Sequence, residues 1–208
     1  MDLDLFLYQI FLFIIAFLSN LFSAIAGGGA GFLQLPALIF LGLPFQVALA
    51  THKIASVALG IGAGIRHLQN GKLQPLLITY ILSFGLPGVF IGASTAIRIP
   101  SQVGTFFLGI VTLLIGLYSV KKSEVSQRHK LEMKKSTKLL IGGLGIFFIG
   151  FLNGSLSSGT GLFVTFWLIR FFGLTYSEAV AYTLILVGFF WNGTGALIVS
   201  LNTNFKVE

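Results

Sequence analysis

Six apolar stretches of about 20 residues constrain the fold of this chain more than any other feature of its sequence. A helix needs about 20 apolar residues to cross a bilayer core of roughly 30 Å, so each stretch is long enough to span a membrane. Charged residues make up 9% of the chain, against about 25% in soluble domains. The sequence therefore predicts an all-α membrane protein, folded as a polytopic helical bundle. The six stretches are 5–26, 47–66, 73–97, 101–120, 139–156 and 177–201.

The basic residues are concentrated between two of these stretches. The formal net charge of +7 would by itself suit a nucleic-acid partner. Seven of the 13 Lys and Arg residues, however, fall within 121–138, as expected for a cytoplasmic loop under the positive-inside rule. We therefore expect no nucleic acid and a multi-pass membrane protein with loop 121–138 in the cytoplasm. This orientation places 97–100 outside and the basic segment 67–72 inside.

Several classes of function find no support in the sequence. The chain has no Cys, which excludes disulfides, thiolate nucleophiles and cysteine-based metal sites. Hydrolase and metalloprotease motifs are absent, and so is a pair of carboxylates within the apolar stretches. We expect no enzymatic activity, no metal and no cofactor. Asp2 and Asp4 stand where a signal peptide would carry basic residues, so we expect the first stretch to be a retained span.

Two further apolar stretches, 32–41 and 162–172, reach only about 16 Å as helices and are too short to cross a bilayer. Each follows a break of Gly and small residues, AIAGGGAG at 24–31 and GSLSSGTG at 154–161. Aligning the two breaks also aligns the segments that follow them, about 130 residues apart. The sequence therefore predicts two internal repeats, each with a Gly-broken short half-helix.

The repeats divide the chain into three parts. Transmembrane repeat 1 covers 1–120, the basic cytoplasmic loop covers 121–138, and transmembrane repeat 2 covers 139–208. Repeat 2 stops where counterparts of the last two spans of repeat 1 would begin, so we expect it to be incomplete. The half-spans could be re-entrant or full crossings, which leaves open whether the repeats are parallel or inverted.

The two breaks form the candidate site. Secondary transporters often place broken helices near the membrane midplane, where free N–H groups and the positive end of the helix dipole suit an anion. The alternative is that small residues merely let the helices pack closely. We favour a binding site for a small anion. Its candidate residues in the breaks are Gly27, Gly28, Gly29, Gly31, Ser157, Ser158, Gly159, Thr160 and Gly161.

Polar residues in the following spans extend this site. Lys53 lies in an otherwise apolar span, where a charge is costly, and would supply a fixed positive charge. Alternatively, its ammonium reaches the outer interface. His52 would act as a hydrogen-bond donor or a proton-coupled switch, or would simply bond to a backbone carbonyl. Repeat 2 has no cation at the equivalent positions, so we expect an asymmetric site. Thr51 and Asn192 complete the candidate set.

The segment AIAGGGAGFLQLPALIFLGLPFQVALATHK at 24–53, followed by GIGAGIRHLQNGKL at 60–73, resembles the TauE/SafE-type family of sulfite exporters. Repeats of that family open with a Gly-rich stretch, a Pro-containing half-span, Gly-Leu-Pro, Ala and a Thr-x-Lys turn. Segment 150–201 matches more loosely and lacks the Pro counterparts. The resemblance implies a bacterial inner-membrane transporter for sulfite, sulfonates or other small sulfur-containing anions, usually with seven or eight spans. The matching residues are Pro36, Gly42, Leu43, Pro44, Ala48, Thr51 and Lys53.

The membrane potential indicates a direction of transport. With the cytoplasm negative, each negative charge that leaves gains about 2.3 kcal/mol per 100 mV, so anion export needs no coupled ion. The predicted function is therefore export of a small anion by alternating access. An anion channel lined by the same breaks and a non-transporting membrane assembly partner are the alternatives. The expected partners are the anion and the lipid bilayer, and a homo-oligomer is compatible with the sequence.

Overall fold

The computed structural model describes residues 3–68, 73–121 and 135–202, which form helices and their connecting turns. Two segments, Leu168–Phe172 and Thr183–Trp191, are π-helical and continue the α-helices that precede them. Most of loop 121–138 and of segment 67–72 lies outside the described residues, so their cytoplasmic side stays a prediction. The helices are α1 (Leu3–Ala26), α2 (Ala30–Phe40), α3 (Phe45–Leu68), α4 (Pro75–Ala96), α5 (Ser101–Lys121), α6 (Lys135–Ser155), α7 (Thr160–Phe172) and α8 (Tyr176–Asn202).

Five of these helices, α1, α3, α4, α6 and α8, contain segments long and apolar enough to cross a membrane. Large apolar side chains point outward along them, as on α1, where Phe13 is 70% exposed and Phe17 is 56% exposed. Such a surface is stable in contact with lipid, whereas a soluble protein rarely exposes one. The predicted all-α, multi-pass membrane bundle is confirmed.

Helices α1 and α2 form a hairpin. Tyr8, near the start of α1, donates through Oη to the carbonyl of Leu41 at the end of α2, at 3.2 Å. Deeper in the bundle, Asn20 Nδ2 donates to Gln34 Oε1 at 3.3 Å. The early residue of α1 thus pairs with the end of α2, whereas the late residue of α1 pairs with an earlier part of α2. The two helices therefore run antiparallel, and the chain returns to the end of the bundle from which α1 starts.

Helices α6 and α7 form a second hairpin of the same kind. Trp167, late in α7, donates through Nε1 to the carbonyl of Gly142, early in α6, at 3.1 Å. Phe171 also lies against Gly142, because a Cβ added there would stand 2.8 Å from its ring. The start of α6 and the end of α7 thus share one end of the bundle.

Helix α4 shows that the two hairpins enter from opposite ends. Its C-terminal end lies beside the start of α3, where Gln46 Nε2 donates to the carbonyl of Ile99 at 2.6 Å. Its N-terminal part lies beside the start of α6, where Tyr80 Oη donates to the carbonyl of Leu139 at 2.5 Å. Inverted repeats would produce this arrangement. The repeat itself stays a prediction.

Glycine contacts hold the long helices close together. A Cβ on Gly60 of α3 would stand 2.6 Å from the carbonyl carbon of Gly188 in α8. A Cβ on Gly88 of α4 would collide with the carbonyl oxygen of Phe147 in α6. Small residues at helix contacts let backbones approach closely, which is how helices associate in lipid without a hydrophobic driving force.

Candidate functional site

The two predicted breaks meet inside the bundle. A Cβ on Gly28 would stand 2.6 Å from the carbonyl carbon of Gly161, and one on Gly31 would stand 2.6 Å from the carbonyl oxygen of Ser157. The 11 residues of α2 span about 16 Å, or half of a bilayer core of roughly 30 Å. The start of α2 therefore lies about half a bilayer thickness from its far end, and glycine is needed where the two main chains touch.

Each half-helix starts from a left-handed glycine and has no side-chain cap. Gly29, with φ of 94°, precedes α2, and Gly159, with φ of 66°, precedes α7. The first N–H groups of a helix have no partner within it, and the helix dipole is positive there. Among the described non-glycine residues, Ser157 alone has a positive φ, 56°, a conformation that costs about 1–3 kcal/mol.

The crossing has reciprocal contacts. Phe32 of α2 packs on Gly159, and Leu162 of α7 packs on Gly29. In the alignment of the two breaks, Phe32 corresponds to Leu162 and Gly29 corresponds to Gly159. Each contact is thus the counterpart of the other, as a two-fold relation between the hairpins would require.

A small cavity lies at this crossing, between the two breaks, α3 and α8. Its volume is about 30 Å³, and since one buried water needs roughly 10 to 15 Å³, there is room for about two waters or a comparably small solute. Polar groups and main-chain atoms form much of its wall. The lining residues are Ser23, Gly28, Gly29, Ala30, Gly31, His52, Ser56, Leu59, Asn153, Ser157, Thr160, Gly161, Thr183, Leu184, Val187, Gly188 and Asn192.

Lys53 of α3 is fully buried beside the cavity. Its Nζ donates to the carbonyl oxygen of Asn153 at 2.7 Å and to Ser157 Oγ at 2.8 Å. Both partners are neutral groups that line the cavity. The ammonium therefore binds the second break within the bundle and does not reach the outer interface. Lys53 is the one Lys or Arg that is buried in the part of the chain that the structure describes.

His52, the preceding residue of α3, lines the cavity beside the first break and is 3% exposed. Its Nδ1 lies 2.9 Å from Gln34 Oε1. Its Nε2 lies near Gly31, where an added Cβ would stand 3.2 Å away. The imidazole is thus held by α2 on one side and faces the crossing on the other.

Asn192 belongs to a cluster that joins α6, α7 and α8. Asn153 Nδ2 donates to Thr160 Oγ1 at 3.0 Å and to Asn192 Oδ1 at 3.3 Å. Asn153 was not predicted, although an amide inside an apolar stretch just before a break is a signal that could have found it. The same signal applies to Gln34 in the short helix α2.

Some predicted site residues do not line the cavity. Thr51 Oγ1 donates to the carbonyl of Val47 in its own helix at 2.9 Å. Ser158 Oγ lies 2.9 Å from Thr112 Oγ1 of α5. The carbonyl of Gly27 accepts from Thr165 Oγ1 at 2.7 Å, which links the first break to α7. The predicted residues outside the cavity wall are Gly27, Thr51, Lys53, Ser158 and Gly159.

The described residues contain no group of three or more His, Cys, Asp and Glu side chains that could hold a metal ion. The site is instead built from main-chain amides, hydroxyls, carboxamides, one imidazole and one ammonium.

Broken helices that meet inside a polytopic bundle, beside a buried charged residue, define a membrane transporter. The chain belongs to the family described as Sulfite exporter TauE/SafE, whose sequence model matches residues 12–207.

Three relatives are named as probable membrane transporter proteins. One from Haemophilus influenzae is 27% identical over 186 residues, which cover 89% of this chain and 71% of the relative. The ORF9 protein of Sinorhizobium sp is 27% identical, with coverages of 85% and 66%. YfcA of Escherichia coli K12 is 26% identical, with coverages of 84% and 64%. The chain thus spans about two thirds of the length of these relatives. No solved structure was found to match it.

Proposed function

We propose that this protein exports a small anion from the bacterial cytoplasm by alternating access, and that the cavity at the crossing binds this anion. Sulfite, a sulfonate or a related sulfur oxyanion is the proposed cargo. One observation carries the proposal. The fully buried ammonium of Lys53 bonds to the second break, at a point where two half-helices start without side-chain caps.

Three features of the cavity favour an anion over a cation or a neutral solute. The ammonium of Lys53 places a formal positive charge directly behind the cavity wall, bonded to Ser157, which lines the cavity. The starts of α2 and α7 add the positive ends of two helix dipoles. No described carboxylate lines the cavity to offset them. A small negative solute would therefore be attracted from several sides.

The placement of the hairpins supports alternating access. They enter from opposite ends of the bundle and touch at the cavity, so each hairpin separates the cavity from one side of the membrane. We assign them to repeat 1 (1–120) and repeat 2 (139–208), which would move relative to each other. A channel would instead need a continuous path past both hairpins.

The charge pattern supports an orientation in the inner membrane with loop 121–138 in the cytoplasm. The start of α5 would then lie outside and the start of α6 inside. The natural chain contains no Cys, so single cysteines can test this directly. An impermeant maleimide added to whole spheroplasts should label Gln102→Cys and not Thr137→Cys, both of which are exposed positions. The reverse pattern would contradict the orientation.

Flux through purified protein in liposomes tests the proposed function. Labelled sulfite is trapped inside, a potassium diffusion potential makes the interior negative, and efflux is followed with protein-free vesicles as the control. We expect the efflux to be saturable and to accelerate with the potential. Unlabelled sulfite added outside should also accelerate the efflux of labelled sulfite by exchange. Flux that never saturates would favour a channel. No flux of sulfite, sulfate or methanesulfonate from folded protein would contradict the proposal.

A further inference from the structure

A chain of hydrogen bonds beside the cavity fixes the orientation of one amide. Asn20 Nδ2 donates to the carbonyl oxygen of Ala16 at 2.8 Å, and a carbonyl can only accept. The nitrogen of this side chain therefore also faces Gln34, at 3.3 Å. The nearby Gln34 atom must be the acceptor Oε1, because its Nε2 would place two donors against each other.

The orientation of Gln34 in turn fixes the proton of His52. Gln34 Oε1 lies 2.9 Å from His52 Nδ1, so Nδ1 must carry the hydrogen. Gln34 Nε2 is left buried without a hydrogen-bond partner. An unsatisfied buried donor costs free energy. The bonds that Gln34 Oε1 accepts from Asn20 and His52 therefore hold the amide in this orientation. Neutral imidazole with its proton on Nδ1 has an acceptor at Nε2.

This acceptor faces the crossing. Both His52 and Gly31 line the cavity, and a Cβ on Gly31 would stand 3.2 Å from Nε2. Within the part of the chain that the structure describes, no group donates to Nε2. Lys53 on the same helix is the charged neighbour. The other elements around the cavity present neutral groups, among them Ser157 and Asn192.

We propose that the cavity takes its anion in a singly protonated form, with the O–H of a hydrogen oxyanion donating to His52 Nε2. This inference rests on the proposed function and specifies the substrate class. A fully deprotonated oxyanion would set an oxygen lone pair against the lone pair of Nε2. A hydrogen oxyanion such as hydrogen sulfite satisfies Nε2 through its O–H and offers its remaining oxygens to the uncapped amides and the charge of Lys53. His52 is therefore a specificity-determining residue, and Gln34 positions it by fixing its tautomer.

The test measures sulfite flux in proteoliposomes with equal pH on both sides, across the pH range in which sulfite takes up one proton. We expect KM to stay constant when expressed as hydrogen sulfite and to rise with pH when expressed as total sulfite. Methanesulfonate has no O–H and keeps its charge over this range. It should compete about tenfold or more weakly than hydrogen sulfite, as expected for one lost hydrogen bond to a buried acceptor. Protein-free vesicles correct for leakage of uncharged sulfur dioxide.

Variants connect this selectivity to the imidazole. His52→Leu should remove both the pH dependence of KM and the preference over methanesulfonate. His67→Leu, at the other end of the same helix and outside the cavity, should keep both. Gln34→Leu removes the acceptor that keeps the proton of His52 on Nδ1. Nε2 of His52 can then carry the proton and donate. The preference of this variant should move toward the fully deprotonated anion, which a loss of packing alone would not produce. It also replaces His52→Leu as the test if that variant does not fold.

The outcomes separate the two proposals. A wild-type KM that is constant in fully deprotonated or in total sulfite would overturn the protonated-substrate inference and leave anion export standing. Equal competition by methanesulfonate would do the same. An unchanged pH profile in both His52→Leu and Gln34→Leu would show that the selectivity lies elsewhere. Absence of any flux from the wild-type protein would remove the proposed function and this inference together.

Discussion

Replacing Lys53 by methionine should remove the positive charge that lies behind the cavity wall while leaving the surrounding fold intact. Methionine has nearly the length of lysine and fills the same apolar path. The two closest acceptors of the ammonium also keep a hydrogen bond, because Ser157 Oγ donates to the carbonyl oxygen of Asn153 at 2.8 Å. The substitution therefore leaves neither of these groups unsatisfied, and its effect on binding reports the charge.

The magnitude follows from the geometry. An anion bonded to the Ser157 side of the cavity lies about 5.5 Å from Lys53 Nζ, which is the 2.8 Å bond to Oγ plus one hydrogen-bond length of about 2.7 Å. Two unit charges at that distance interact by about 3 kcal/mol at an effective dielectric constant of about 20. Removing this attraction should raise the dissociation constant of the anion roughly a hundredfold.

Equilibrium binding of labelled sulfite to protein in nanodiscs measures this change, and the KM for liposome flux gives a second reading. Lys138→Met is the matched control, because its ammonium lies outside the cavity, 6.0 Å from the centre of the Phe171 ring. We expect the control to change sulfite affinity by less than about twofold. Thermal unfolding of both variants should stay close to that of the wild type.

A Lys53→Met protein that unfolds normally and still binds sulfite as tightly as the wild type would refute this reasoning. The charge of Lys53 would then not act on the anion, and the lysine would have a structural role between α3 and α6. An equal loss of affinity in Lys138→Met would point instead to a general effect of net charge.

Three further substitutions, two of them with a matched glycine control, test the surroundings of the site. Gly195→Ala puts a Cβ 2.9 Å from the ammonium of Lys53 and should lower sulfite affinity about tenfold without changing Tm. In the control Gly193→Ala, the added Cβ meets its nearest side-chain atom at 3.8 Å, so sulfite affinity and Tm should both stay unchanged. Gly28→Ala should destabilise the protein in detergent more than Gly42→Ala, since both have positive φ but Gly42 has nothing within 4 Å of an added Cβ. Gly42→Ala should lower the free energy of unfolding by about 1–2 kcal/mol. An equal loss in both variants would mean that the main chains at Gly28 and Gly161 are not in contact. Ser157→Gly should relieve the positive φ and keep or raise Tm while weakening sulfite binding, whereas a fall in Tm would contradict the assigned strain.

The helices could be predicted from the sequence because lipid imposes a simple requirement on length and polarity. Stretch 73–97 is observed as Pro75–Ala96, and stretch 177–201 as Tyr176–Asn202. The Gly-rich composition located both breaks, and the structure adds the left-handed conformations of their glycines. The direction of the short helices could not be predicted, because it depends on contacts between distant residues. The bond between Tyr8 and the carbonyl of Leu41 is one of these.

The candidate site was predicted in part for a related reason. Lys53 stood out because a charge in an apolar span is costly, but its partners Asn153 and Ser157 lie 100 and 104 residues away in the sequence. Consecutive residues of a helix point about 100° apart, so Thr51, His52 and Lys53 cannot all face one cavity. The local sequence pattern therefore predicts which segments form a site more readily than which of their side chains line it.

The contact between Gly28 and Gly161 has a mechanical consequence. It is made by main-chain atoms on both sides, so it contains no side-chain rotamers that would have to change in the proposed movement of the two hairpins. Such a contact can act as a pivot, so that atoms at the contact move least and atoms at the far ends of the hairpins move most. Over the roughly 16 Å length of α2, a rotation of about 10° would move the distal end by about 3 Å. In the proposed alternating-access cycle, access to the cavity would then change sides through a small tilt, while the contact beside the proposed anion site stays almost still.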